Sequence, residues 1–145
     1  MSDRYLIVDG HSVIFGWSEL RAKHNRNTAA AREELIRQLT SYQDISDVNV
    51  VLVFDGQGSK VSEHSERGGI QIFYSRSNQT ADSIIERLVA KYGKTYQMTI
   101  ATSDRAIQQT AISFEGGFID VDQLQDLLDD AAKTFAKELK KRNKK

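Results

Sequence analysis

Five residues at 50–54, Val-Val-Leu-Val-Phe, restrict the fold more than any other stretch of this chain. A continuous apolar, largely β-branched run with no polar residue on either side of the pleat has to be covered on both faces. Strands of that kind belong to parallel sheets flanked by helices. The rest of the chain alternates in step with this reading. Residues 5–8, 70–74 and 97–102 read as further strands, and "ISF" followed by "GGFI" within 112–119 as a short fifth. Between them lie segments of helical period. Residues 28–44 carry Leu35, Ile36, Leu39 and Tyr42 on one side, with Thr28 as N-cap. Thr80 caps a helix bearing Ile84, Ile85, Leu88, Val89 and Tyr92 and closed by Gly93; residues 104–111 and 121 to about 140 follow. The pattern predicts an α/β fold: a mostly parallel five-stranded sheet with helices on both faces. Residues 56–69, polar and glycine-rich, read as a mobile loop.

With 145 residues the expectation is one domain over 1–145, ending in a basic, frayed tail at about 140–145. The chain has no cysteine, which excludes disulfides, thiolate metal sites and cysteine nucleophiles. Its apolar runs are too short to span a bilayer, and no signal-peptide core follows Met1, so a cytoplasmic protein without membrane contact is expected. Twenty acidic and twenty basic residues give a formal net charge of zero. Nucleic acid held by bulk electrostatics alone calls for a basic protein, so any such binding here needs a local patch, a partner or metal ions.

Ligands of parallel α/β sheets bind beyond the carboxyl ends of the strands. On this reading strand one ends in Asp9, strand two in Asp55, and strand four in Thr102-Ser103-Asp104. The helix after strand three begins Thr80-Ala81-Asp82, with Glu86 one turn on. Each acid alone has an ordinary explanation. Asp82 and Asp104 suit the positive start of a helix, and Asp9-Gly10 and Asp55-Gly56 are turn sequences. Their joint arrival at one sheet edge is harder to explain structurally. Clustered carboxylates repel unless a cation lies between them, and hard oxygen donors with waters suit Mg²⁺ or Mn²⁺. Such a centre activates water for phosphodiester hydrolysis.

The stretches "LIVDGHSVIF", "VVLVFDG", "NQTADSIIERL" and "TIATSD", in this order, resemble the NYN domains of the PIN-like ribonuclease group, specifically the bacterial YacP-like branch. The resemblance covers about residues 4–128, and "TAD" before a helix and "TSD" after a strand are its most specific parts. It implies a three-layer α/β/α sandwich with strand order 3-2-1-4-5 and metal-dependent endoribonuclease activity with Mg²⁺ or Mn²⁺. By position, Asp9, Asp82 and Asp104 look like the catalytic metal centre, with Asp55 and Glu86 supporting it. RNA is the implied substrate, mRNA in particular, with the ribosome as partner. The chain departs from the family where Tyr-Asn commonly follows the first Asp-Gly: here stand His11-Ser12. Ser12 or His11, with Ser103, would supply the polar contacts near the metal.

Lys60, Arg67 and Arg76, beyond strands two and three, are candidates to guide the RNA backbone. Phe15 and Trp17 are base-stacking candidates, with packing against the first helix the stronger reading; His24 and His64 read as solvent-exposed. Asp120 with Gln123 reads as a capping box, and Asp122 as a further acid only if that edge extends to it. The competing function is a catalytically silent RNA- or ribosome-binding module of the same fold. A receiver-like domain lacks its acid pair after strand one, and a dehalogenase-type phosphatase its Asp-x-Asp. No P-loop is present, so no nucleotide cofactor is expected.

Overall fold

A computed structural model describes residues 3–58, 62–65, 69–76 and 80–143. The chain runs β1 (Arg4–Asp9), α1 (Gly10–Gly16), α2 (Ser18–Arg26), α3 (Thr28–Ile45), β2 (Asn49–Gly58), β3 (Ser62–Ser65) and β4 (Gln71–Arg76). Then follow α4 (Ala81–Tyr92), β5 (Gln97–Ala101), α5 (Arg105–Ser113), β6 (Gly117–Ile119) and α6 (Val121–Asn143). The sheet order is β3-β4-β2-β1-β5-β6. Its five parallel strands, β4-β2-β1-β5-β6, reproduce the expected order 3-2-1-4-5.

The alternating side chains of β1 and β2 sort into two cores. Leu6, Val8, Leu52 and Phe54 face α1, α2, α3 and α6, where Leu20, Leu35, Leu39 and Leu124 meet them. Ile7, Val51 and Val53 face the other way, onto Ile84, Ile85 and Val89 of α4 and Ile107 and Ala111 of α5. Two helical layers thus cover one sheet, which is why β2 carries no polar residue between 50 and 54. No helix among the described residues is long and apolar enough to cross a membrane.

The structure corrects the sequence reading in several places. The interval expected as loop 56–69 carries the end of β2 and β3, which pairs antiparallel with β4; the remainder lies outside the described residues. Ser62-Glu63-His64-Ser65 has no apolar alternation, and its strand character comes from the open edge that β4 offers. Asn27, not Thr28, caps α3: its side chain accepts from the Ala30 amide at 3.2 Å. Ile112 and Ser113 end α5 rather than begin a strand, and β6 is Gly117–Ile119 alone. Residues 10–26, which carried no expected element, form α1 and α2. Finally, α6 extends through Asn143.

Candidate active site

Gly10 opens α1 directly after Asp9, where a turn was expected. A Cβ there would stand 2.4 Å from Cδ1 of Phe54 and 3.1 Å from the Val53 carbonyl oxygen. Only glycine lets the chain leave β1 so close to β2. Asp9 precedes α1 but makes no side-chain capping bond to it. Its carboxylate, on a residue only 5% exposed, turns inward instead. There Oδ2 accepts from the Ser12 hydroxyl at 2.7 Å and from the Thr102 hydroxyl at 2.8 Å. A capping role therefore does not explain Asp9.

The two hydroxyls tie three segments together. Ser12 Oγ lies 3.3 Å from Thr102 Oγ1 and accepts from the Ser103 amide at 3.1 Å and the Ser103 hydroxyl at 3.0 Å. Thr102 Oγ1 also accepts from the Asp104 amide at 3.0 Å. Asp104 caps α5, its Oδ1 accepting from Ala106 at 2.8 Å and Ile107 at 3.3 Å. Asp55 sits where the pairing of β2 with β4 slips register between Phe54 and Gly58. Such irregularities re-aim side chains, and here Asp55 Oδ1 accepts from the Ala81 amide at the start of α4, at 2.8 Å. Thr80 caps that helix through Ser83 at 3.2 Å, as expected, which leaves Asp82 in its first turn without the capping role.

Asp82 registers the combined field. Its carboxyl is pushed above its ordinary value, first by burial and then by the negative charges of Asp104, Asp9, Asp55 and Glu86. All five acids therefore bear on one region at the carboxyl edge of the sheet. Glu86 and Asp55 are exposed, Asp82 and Asp104 half-buried, and Asp9 buried. Asp122 is not among the charges acting on Asp82. Among the described residues, no three Asp, Glu or His groups stand together as a closed donor set for a metal.

The donor chemistry nonetheless fits a hard divalent ion. Asp9, Asp55 and Asp104 each accept these protein hydrogen bonds through one oxygen only, and Asp82 accepts none of them. Mg²⁺ commonly takes only one or two carboxylates and completes its octahedron with waters and substrate phosphate oxygens. A pre-closed cage is not required.

Over residues 6–145 the chain matches the YacP-like NYN domain. It belongs to that family. A YacP-like NYN domain is nuclease-like. The uncharacterized protein YacP of Bacillus subtilis (strain 168) is 31% identical over 113 residues, which span 77% of this chain and 66% of that protein. Crystal structures of Rae1 (YacP) from Bacillus subtilis share the fold. One, of a point mutant, has a TM-score of 0.79 at 23% identity over 97% of this chain and 84% of its own. Another has a TM-score of 0.75 at 26% identity, over 97% and 82%.

Other sequence candidates fall differently. Trp17 is buried, and its indole N–H donates to the Val121 carbonyl at 2.7 Å, pinning α1 to α6, so it packs rather than stacks on a base. Phe15 is 39% exposed between the rings of His11 and His24. His24, expected in solvent, is half-buried. The capping box is as read: the Asp120 amide donates to Gln123 Oε1 at 2.9 Å and the Gln123 amide to Asp120 Oδ1 at 2.8 Å. Lys60 and Arg67 lie outside the described residues, as do the side chains of Arg76 and His64. The sequence reading passed over Thr102 as a site residue, although a buried hydroxyl in "TSD" at a strand end was the signal for it.

Proposed function

We propose that this chain is a Mg²⁺- or Mn²⁺-dependent endoribonuclease that hydrolyses RNA phosphodiester bonds in the cytoplasm, with mRNA on the ribosome as its substrate. The observation that carries this reading is the field at Asp82, where burial and four neighbouring carboxylates oppose ionisation at one sheet edge. A fold under no functional demand gains nothing from such repulsion, which destabilises it at neutral pH.

Asp9, Asp82 and Asp104 would hold the ion, and Asp55 and Glu86 would strengthen the field that attracts it. When bound, such an ion activates a water and neutralises charge on the phosphoryl group during in-line displacement. Ser12 and Thr102 fix the orientation of the Asp9 carboxylate by donating to Oδ2. Ser12, which stands where asparagine is common in the family, also accepts from the Ser103 hydroxyl, and this extends the hydroxyl chain. Lys60, Arg67 and Arg76 would steer the RNA backbone toward this edge.

The test is cleavage of RNA by the purified protein in EDTA, Mg²⁺ and Mn²⁺, alone and with translating ribosomes, beside Asp82→Asn. Metal-dependent cleavage that vanishes in the variant is expected. Cleavage that persists in EDTA, or in Asp82→Asn, contradicts the proposal. RNA or ribosome binding without cleavage under any condition would establish the silent binding module instead.

A further inference from the structure

A cleft abuts the acid edge on the side of α1, α2 and α3, lined by His11, Phe15, His24, Arg32, Phe54 and Asp55. Asp55 belongs both to this cleft and to the field at Asp82. We infer that the cleft is a subsite for an unpaired nucleotide next to the bond that is cut. This rests on the ribonuclease reading above.

The first observation is a row of rings. His11 and Phe15, one turn apart on α1, have centroids 4.5 Å apart, and Phe15 lies 4.8 Å from His24 of α2 in an edge-to-face contact. His11 is exposed and Phe15 remains 39% exposed, so the row presents an open aromatic surface. Unpaired bases stack on such surfaces, whereas a base inside a duplex has no free face to offer.

The second observation is a cation held in place. Arg32 Nη2 donates to the Asp55 carbonyl at 3.1 Å, and its guanidinium carbon lies 4.9 Å from the centre of the Phe54 ring. Among the described residues it has no carboxylate partner, while Arg37, further along α3, is paired with Glu34. In a chain of zero net charge, a positioned guanidinium beside an acidic edge suits a phosphate flanking the reacting one. The third is an unmet hydrogen bond. His24 Nδ1 is buried with no partner among the described residues. Burying a polar atom unpaired is unfavourable, and a turn of the His24 ring toward the cleft would let a base edge supply the missing partner.

The experiment measures binding of a fluorescent single-stranded oligoribonucleotide to the uncleaving Asp82→Asn protein by anisotropy. Phe15→Leu and Arg32→Gln are added singly, each checked for folding by its melting temperature. Phe15→Leu removes the ring but keeps apolar bulk and should weaken binding about tenfold. An abasic nucleotide scanned along the oligonucleotide should weaken the parent similarly at one position, and there Phe15→Leu should cause no further loss. Arg32→Gln should weaken binding at every position and reduce its salt dependence. Duplex RNA should bind more weakly and be insensitive to Phe15→Leu. Variants that melt like the parent yet bind the oligonucleotide equally well overturn the subsite and leave the ribonuclease reading intact, provided the wild type cleaves RNA. Failure of the wild type to bind or cleave any RNA overturns both. If Phe15→Leu fails to fold, unchanged binding by Arg32→Gln decides against the subsite.

Discussion

Replacing Thr102 with valine isolates what the buried hydroxyl contributes, because the two side chains differ chiefly in the group that touches Asp9. Thr102 is fully buried, donates to Asp9 Oδ2 at 2.8 Å and accepts from the Asp104 amide at 3.0 Å. A hydrogen bond to a charged group contributes about 1.5–3 kcal/mol. Ser12 still donates to the same oxygen at 2.7 Å, and water can reach the half-buried Asp104. The expected loss is therefore about 2–3 kcal/mol. For a chain of this size that lowers the melting temperature by roughly 4–12 °C. Groups that orient a metal ligand typically change affinity or activity by about 10–100-fold when removed. Calorimetry in EDTA reads the first effect, and Mn²⁺-dependence of RNA cleavage the second. Thr102→Ser, which keeps the hydroxyl, should recover most of the metal response. Should Thr102→Val melt and cleave like wild type, the hydroxyl chain does not organise the acids.

Asp104→Ala should lose the α5 cap and about 1 kcal/mol, whereas Asp104→Asn keeps a capping oxygen and the stability while losing cleavage; thermal melts beside the RNA assay separate the two roles. Asp82 should make the metal-free protein less stable as pH rises: its folded carboxyl titrates above its ordinary value of 3.8, so the folded state holds the proton longer and the penalty grows upward through that window. Denaturant melts of wild type and Asp82→Asn in EDTA should thus be closest at low pH and diverge toward neutrality, with the variant the more stable. Gly10→Ala should destabilise by about 1–3 kcal/mol, because its methyl group has to displace the Phe54 ring, as a urea midpoint would show.

The central sheet was legible because burial on both faces leaves a composition that few other elements share. Residues 50–54 and the helices carrying Leu35 and Ile85 follow directly from that constraint. The acid edge was legible for a topological reason: in a parallel sheet every strand delivers its last residue to the same side. What stayed hidden depends on neighbours distant in sequence. α1 and α2 take their positions from contacts such as Trp17 with Val121, which no local period reveals. β3 is polar and becomes a strand by pairing with an edge. Asp55 looked like a strand end, but a register slip aims it at α4. Thr102 and Arg32 acquire meaning only once Asp9 and Asp55 stand beside them.

The claim that these acids form a cation site is tested most directly by melting wild type and Asp82→Asn in EDTA and in excess Mn²⁺. Repulsion at Asp82 predicts that the variant melts at or above wild type in EDTA. Ion binding predicts that wild type gains about 2.7 kcal/mol at a hundredfold excess over the dissociation constant. That gain corresponds to roughly 5–11 °C, and the variant should gain much less. A wild type that ignores Mn²⁺, or a variant that melts several degrees lower in EDTA and still responds fully to the ion, would show that Asp82 serves the fold and not a metal.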